Sequence, residues 1–313
     1  MQMRFTDLNS YLRGIFGCRV QKITVDAGLT CPNRDGRIAG GGCIYCNSRG
    51  SGTGAHARGL SITAQLEAGK AAMARRYRAR KFIAYFQSFS NTYAPLPRLK
   101  ALYDEALAVE GVVGLSIGTR PDCVSDAVLT LLQEYSRRHM IWLEYGLQSA
   151  RNATLARIRR GHDVACFLKA VAATRARGLP VCAHMILGLP HETRADMRFT
   201  ARTLAAADID GVKIHSLYVV RGTTMEAQFQ AGDYRCLEQE EYADLVADVL
   251  ERLPARAVIQ RLTGDPHPDE LAAPAWCRDK TATLAAIRRA LEHRDTWQGR
   301  LCGDSRSRRS AAS

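Results

Sequence analysis

No stretch of this chain approaches the roughly 18 consecutive apolar residues that a membrane-spanning helix requires. The opening residues, from Met1 to Ser10, lack the apolar core of a secretory leader, which predicts a cytoplasmic protein without membrane partners. A disulfide framework is not expected either, because the ten cysteines sit in a chain with no such leader. Most of them, including Cys123, Cys166, Cys182, Cys236 and Cys277, are isolated and read as small core or loop residues. Lysine is scarce: arginine supplies 37 of the 44 basic residues. No internal repeat is evident beyond an alternation of short apolar and longer amphipathic segments.

That alternation, in 313 residues of which 46% are hydrophobic, argues for βα units around a substantial core. Strands are expected at Cys18–Asp26, Lys81–Phe86, Val112–Ile117, Met140–Tyr145, Val181–Leu187 and Gly211–Tyr218. Helices are expected at Ile62–Arg78, Leu96–Ala108, Ser125–Arg138, Val164–Gly178, Arg194–Ala207 and Gln239–Leu253. Pro97 suits a first helical turn, and Asp122 or Ser125 can cap the third helix. The pattern fits either a partial (β/α)6 barrel of TIM type or an open doubly wound sheet; in both, function sits at the C-terminal strand ends. The expected organisation is an N-terminal extension (1–17), a core (18–253), a C-terminal extension packed on it (254–294) and a disordered tail (295–313). Within the extension, Val258–Leu262 reads as an edge strand and Ala282–His293 as a last helix.

The formal charge of +13 is the footprint of a nucleic-acid partner, although arginine bias alone can also follow from base composition. The densest basic run spans Arg75–Lys81, and a second group is Arg306, Arg308 and Arg309.

The most specific feature is one glycine-rich loop after the first expected strand, carrying Cys31, Cys43 and Cys46 in a Cys-x11-Cys-x2-Cys pattern. Thiolates suit zinc or an iron–sulfur cluster. A closed zinc site wants four ligands, for which Cys18 is the candidate fourth; a cubane on three cysteines leaves one iron open. Asn33–Gly36 is a turn signal, and Gly40-Gly41-Gly42 allows close backbone approach.

Further motifs stand at the later strand ends: Gly118-Thr-Arg-Pro-Asp122, Glu144-Tyr-Gly-Leu-Gln-Ser149, Arg159-Arg-Gly-His162, His184-Met-Ile-Leu-Gly-Leu-Pro190, Gly211-Val-Lys-Ile-His215 and Val220-Arg-Gly-Thr-Thr-Met225. With the cysteine loop, they give the chain a pattern that resembles the radical S-adenosylmethionine (SAM) superfamily. More narrowly, roughly residues 18–280 resemble the radical-SAM core of the Elongator catalytic subunit and bacterial proteins of the YhcC type.

The resemblance implies a partial (β/α)6 barrel of the radical SAM type, a [4Fe–4S] cluster on Cys31, Cys43 and Cys46, and SAM on the open iron. An electron from the cluster would cleave SAM to methionine and a 5′-deoxyadenosyl radical. It also implies that Tyr45 supports adenine, that Gln148 and His184 lie near the ribose, and that Arg160 holds the SAM carboxylate. Gln87 and Ser88 stand where many family members carry Gly-Gly-Glu for the SAM amino group. Glu144 is expected to be a SAM or substrate ligand, and Lys213 and His215 to face the barrel interior toward substrate. Tyr85, Tyr93, Tyr218 and Cys123 are candidates for radical propagation. Expected partners are an electron donor such as flavodoxin or ferredoxin and an RNA substrate such as tRNA. The competing readings are a small-molecule substrate such as a tetrapyrrole, and a non-catalytic zinc or iron–sulfur module that binds RNA or acts as a sensor.

Overall fold

Seven strands form one all-parallel sheet, in spatial order β1 (Val20–Val25), β2 (Lys81–Phe86), β3 (Val112–Thr119), β4 (Met140–Gln148), β5 (Val181–Leu187), β6 (Gly211–Ser216) and β8 (Val258–Arg261). The computed structural model describes residues 3–47, 49–50 and 52–303. In a flat sheet the first and last of these strands would lie about 29 Å apart at ~4.8 Å per strand. Instead Lys22 of β1 donates hydrogen bonds to Ser116 of β3 (2.7 Å), Glu144 of β4 (2.5 Å) and Gln260 of β8 (2.6 Å). The sheet is therefore curled into a partial barrel whose edges converge on a shared interior.

Parallel strands covered on both faces are nearly continuous apolar runs, as β2, β4 and β5 are. The outer face is covered by α2 (Ile62–Tyr77), α3 (Leu96–Leu107), α4 (Asp126–Ser136), α6 (Val164–Ala176), α7 (Arg194–Ala206) and α9 (Gln239–Arg252). Local signals fix their starts: the Ser61, Ser125 and Asp163 side chains accept from backbone N–H groups of the first turn, and Thr193 forms a capping box with Asp196. Pro97 sits in the first turn of α3, where its missing N–H is harmless.

Cross-strand register sorts the inward-facing side chains into rows. Thr24, Tyr85, Ser116 and Trp142 are neighbours in one row; Gly118, Glu144, Cys182, Gly211 and Val258 form the next; Gly146, His184, Lys213 and Arg261 form a third. A β-bulge creates the end of the third row. Val212 pairs with Ile259 but Lys213 pairs with Arg261, so Gln260 is an extra residue and Arg261 is turned inward.

Helix α1 (Leu8–Phe16), within the expected N-terminal extension, closes the N-terminal mouth of the barrel. Asp7 caps it, Leu12 packs on Val20 and Ile83, and Tyr11 meets Trp142 edge-on at 6.0 Å. Three other elements had no expected counterpart: α5 (Asn152–Arg157), α8 (Thr224–Gln230) and a two-stranded antiparallel pair of β7 (Val219–Val220) with β9 (Leu271–Ala273).

Two expected boundaries move. The core does not stop at 253, because β8 is the seventh strand of the barrel sheet. Nor do residues 295–303 behave as a tail. Beyond α10 (Lys280–His293), Thr296 and Gln298 are buried, and Gln298 Nε2 donates to the Pro254 and Ala257 carbonyls. The remainder of that expected tail, 304–313, with Arg306, Arg308 and Arg309, lies outside the described residues.

Candidate active site

A cavity of about 520 Å³ opens at the C-terminal ends of the strands, lined on one side by Cys31, Cys43, Tyr45 and Cys46 and on the other by Tyr85, His184, His215, Tyr218 and Arg261. Gln87, Ser88, Glu144, Gln148 and Arg160 line it too, so every expected cofactor contact reaches one chamber.

The cysteine loop leaves β1 and folds back on the segment after β4. Asn33 Nδ2 donates to the Arg159 carbonyl (2.6 Å) and toward Cys43 Sγ (3.6 Å). Arg120 is almost fully buried, bridges to Asp122, and donates to the Arg160 carbonyl (2.6 Å). Gly161, at φ +75°, sits where a Cβ would be 2.9 Å from Asn33 Oδ1. Of the three glycines, Gly42 lines the cavity and also makes room for Arg34: a Cβ there would meet the Arg34 guanidinium at 3.0 Å, and Arg34 donates to the Cys46 (2.7 Å) and Asn47 carbonyls.

Cys18 precedes β1, whereas the loop follows it, and the strand between spans about 17 Å at ~3.3 Å per residue. Cys18 therefore cannot supply a fourth ligand to the loop, and the closed-zinc alternative fails on geometry. The spacing of the three loop thiols agrees. Ligands of one tetrahedral zinc lie about 3.8 Å apart, as follows from Zn–S of ~2.3 Å. Among the described residues, the group with ligand atoms all within 4.8 Å of one another is Glu144, Cys182 and His184, not the loop thiols. Three wider-set thiols suit a polynuclear cluster. Arg160 donates toward Cys43 Sγ at 3.7 Å, and burial pushes the Cys46 thiol upward while Arg34 pulls it down. These guanidinium charges offset the negative charge that three thiolates bring.

The remaining wall holds polar groups that the protein leaves unsatisfied. Ser88 (φ 113°) and Phe89 (φ 59°) are strained non-glycine residues after β2. Asn91 Nδ2 clamps that turn by donating to the Phe86 (3.2 Å), Ser88 (3.0 Å) and Gly118 (2.8 Å) carbonyls. Gln148, also at positive φ (77°), follows an irregularity in the β4–β5 pairing. Ser88 Oγ and Gln148 Oε1 are buried at the cavity without a hydrogen-bond partner, as expected of groups awaiting a polar ligand. Arg160, 8% exposed, is aimed by two hydrogen bonds to the Gly146 carbonyl (2.6 and 3.2 Å). Gly146 is required there, since a Cβ would fall 2.5 Å from Arg160 Nη2.

Glu144 differs from its expected role. It is fully buried, and its Oε1 accepts from Lys22 and Ser116 while Oε2 accepts from His184 Nε2 (2.8 Å) and contacts Lys213 Nζ. With both oxygens engaged it is an electrostatic hub rather than a free SAM ligand. The lysines and His184 hold its carboxyl well below the ordinary range despite the opposing effect of burial. Burial takes His184 down to about 4, so it is neutral at pH 7 and donates through Nε2–H to the carboxylate. Burial also lowers Lys213 to about 7, with Glu144 opposing and Lys22 and Arg261 adding to the fall.

Lys213 lies behind the cavity wall, its Nζ 3.8 Å from the centre of the Tyr85 ring, while His215 reaches the cavity itself. Of the radical-relay candidates, Tyr85 and Tyr218 line the cavity; Tyr93 and Cys123 do not. The Arg75–Lys81 run extends from the last turn of α2 to the first residue of β2, at the N-terminal end of the barrel and opposite the site. Sequence reasoning gave no role to Asn91, Arg120, Lys22 and Arg261; the first two support the loops, and the Gly118-Thr-Arg-Pro-Asp122 motif marks Arg120 without showing what it does.

A curled parallel sheet with three cysteines after its first strand, and a buried arginine beside them, defines the radical-SAM class of enzymes. The chain matches the Radical SAM superfamily over residues 31–204 and the Radical_SAM C-terminal domain over residues 209–293, and it belongs to that superfamily. Its cofactors are those of the family, a [4Fe–4S] cluster and SAM.

Among particular proteins, it is 40% identical over 300 residues to YtqA of Bacillus subtilis (strain 168), covering 96% of this chain and 93% of that one. It is 39% identical over 280 residues to YhcC of Escherichia coli (strain K12), covering 89% of each. A tRNA uridine(34) acetyltransferase of Methanocaldococcus infernus is 26% identical over 156 residues, 49% of this chain and 29% of that one. The structure of the archaeal Methanocaldococcus infernus Elp3 with an N-terminal deletion superposes with a TM-score of 0.69 at 16% identity, over 89% of this chain and 64% of that one. No helix among the described residues is long and apolar enough to cross a membrane.

Proposed function

We propose that this enzyme cleaves SAM reductively and uses the resulting radical on an RNA substrate of the tRNA type. The convergence of Cys31, Cys43, Cys46, Ser88, Gln148 and Arg160 on one chamber carries the reading. When bound, the cluster supplies the electron for reductive SAM cleavage, which yields methionine and a 5′-deoxyadenosyl radical. The chain's own contribution is positioning. Arg160 offers a planar cationic fork suited to the amino-acid carboxylate, and its hydrogen bonds to Gly146 fix its direction. Ser88 and Gln148 offer polar atoms to the amino group and the ribose, and Tyr45 a half-buried aromatic face to adenine. The walls of buried side chains exclude water from the reacting centre.

RNA is supported by charge placement. Arg37, Arg49, Arg58, Arg159 and Arg221 are all exposed on loops that follow strands, on the face where the cavity opens. The partial relative that acts on tRNA uridine lends the same direction. An acetyltransferase step is not part of this reading, because the similarity spans 29% of that relative.

Two measurements test it. Anaerobically reconstituted protein given dithionite and SAM is expected to release 5′-deoxyadenosine well above a Cys43→Ser control; release equal to the control refutes SAM cleavage. Affinity for bulk tRNA is expected to fall steeply with salt, and a flat response refutes phosphate contacts.

A further inference from the structure

The wall facing the cysteine loop carries more positive than negative charge. Three cations, Lys22, Lys213 and Arg261, surround the interior, and one buried carboxylate, Glu144, answers them. That carboxylate is consumed by Lys22, Lys213, His184 and Ser116. Arg261, half-buried at the end of the third row, makes no ion pair or hydrogen bond among the described residues, yet it lines the cavity. The bulge at Gln260 turns it inward; a regular strand would point it away.

Its surroundings are set by every neighbouring strand. From β6 come Lys213 and His215, from β5 His184, from β2 Tyr85, and from the loop after β6 Tyr218. The His215 ring lies 5.6 Å from that of His184 at a tilt of 56°; His215 is kept neutral by burial and by the surrounding cations, and has no hydrogen-bond partner among the described residues. Gln260 Nε2 is buried without a partner as well. Apart from Glu144, the acidic groups lining the cavity among the described residues are at the rim: Asp265, which is exposed, and Glu270, which pairs with Arg49 at 3.2 Å. A half-buried guanidinium beside an unpartnered imidazole is a place that an anionic ligand can complete.

We propose that Arg261 and His215, backed by Lys213, form a subsite for an oxyanion of the substrate, a carboxylate or a phosphate group. The guanidinium supplies two parallel donors to such a group, and His215 supplies a third through its protonated nitrogen. Arg160 is seated on Gly146 of β4, whereas Arg261 stands three strands further along the same row, about 14 Å at ~4.8 Å per strand, so the subsite is distinct from the place offered to the SAM carboxylate. It rests on the radical-SAM reading only in treating this chamber as the place where substrate meets cofactor.

The test uses the cluster-loaded protein saturated with SAM, so that the SAM carboxylate is already seated. Inorganic phosphate and malonate are titrated separately by calorimetry. In parallel, the protein is labelled with 13C at lysine Cε, and its seven lysines give few enough signals to follow Lys213. One of the two anions is expected to bind saturably and to raise the Lys213 titration midpoint. Phosphate alone assigns a phosphate source, and malonate alone assigns a carboxylate. Arg261→Gln is expected to weaken binding at least tenfold and abolish the Lys213 response, and Arg261→Lys to restore part of both. Circular dichroism of each variant checks folding, and His215→Gln provides a second route should Arg261→Gln fail to fold. Absence of binding by both anions overturns the proposal, as does binding that survives Arg261→Gln in a folded protein. 5′-Deoxyadenosine release by the wild-type protein without added anion judges the radical-SAM reading separately.

Discussion

Replacing Glu144 by glutamine should destabilise the protein in a way that depends on pH. The carboxylate is fully buried and is the counter-charge for Lys22 and Lys213. Removing one member of a buried ion pair costs about 3–5 kcal/mol, because the partner is left charged in a poorly solvating interior. Part of that is relieved here. Lys213 already titrates at about 7, so it sheds its proton at little cost near neutrality. Lys22 keeps hydrogen bonds to Ser116 and Gln260. A net loss of about 2–4 kcal/mol follows, or a Tm lower by roughly 4–8 °C at the ~2 °C per kcal/mol suited to a chain of this size.

The sign of the pH effect comes from Lys213. Its folded value lies below the ordinary 10.5, so the unfolded chain binds more protons between pH 7 and 10.5 and stability rises with pH there. Without Glu144 the Lys213 value falls further. The deficit of the variant is then largest below about pH 7 and shrinks as pH rises through 7 toward about 9. In the wild type, Glu144 itself contributes stability above its ordinary value of 4.5 that is lost as pH falls through its depressed folded value. Glu144→Gln should lack that component. Urea unfolding followed by circular dichroism at about pH 6.5 and about pH 9 measures the Lys213-linked deficit, and a further series from about pH 6 down to about pH 3 measures the Glu144 component. Equal stability at the lower pH, or a deficit of the same size at both, would refute the electrostatic account.

Other outcomes follow from single residues. Cys31→Ser, Cys43→Ser or Cys46→Ser should each lower bound iron after reconstitution by severalfold, while Cys18→Ser should retain it; iron and sulfide analysis decides. Gly146→Ala displaces Arg160 from its seat, so SAM affinity should fall about tenfold, ~1.4 kcal/mol, with a smaller change in Tm. Calorimetry showing unchanged SAM affinity would break the link between Gly146 and Arg160. Asn91→Ala removes three hydrogen bonds to carbonyls and should cost about 2–3 kcal/mol in urea unfolding while weakening SAM binding through Ser88.

The elements of the barrel were legible because each has its own local signal. β2 and β5 begin and end at the expected residues, since apolar runs flanked by charge or glycine define them. Helix α7 starts at Arg194 as expected, after a capping box. The elements missed lack such signals. Helix α1 contains Gly14 and is stabilised by Trp142 and Val258, far away in sequence. Strands β7 and β9 are two and three residues long, below the length at which alternation can be read. In the site, the cysteine loop was legible because spacing along the chain carries its chemistry. The hub around Glu144 was not, since Lys22, Ser116, Lys213 and Gln260 meet only once the sheet curls. Arg261 was hidden for a sharper reason: a one-residue bulge decides which way it points, and no residue type announces that bulge. The basic run at Arg75–Lys81 misled in the opposite direction, being conspicuous in sequence but placed at the wrong end of the barrel.

The floor of the barrel is stitched from the two ends of the described chain, and this sets an order in time. The Thr6 N–H donates to Gln298 Oε1, the Gln298 N–H donates to the Arg4 carbonyl, and Ile259 N–H reaches back to the Thr6 carbonyl. On a ribosome the cysteine loop is made well before strand β8, and helix α1 cannot take its final seat until strand β8 and residue 298 have been made. Over that interval the thiols are already available while the far end of the barrel is still open. Delivery of iron and sulfide to a finished, closed chamber and delivery to a growing, half-built one are different problems for a cell, and this topology leaves the second route physically accessible.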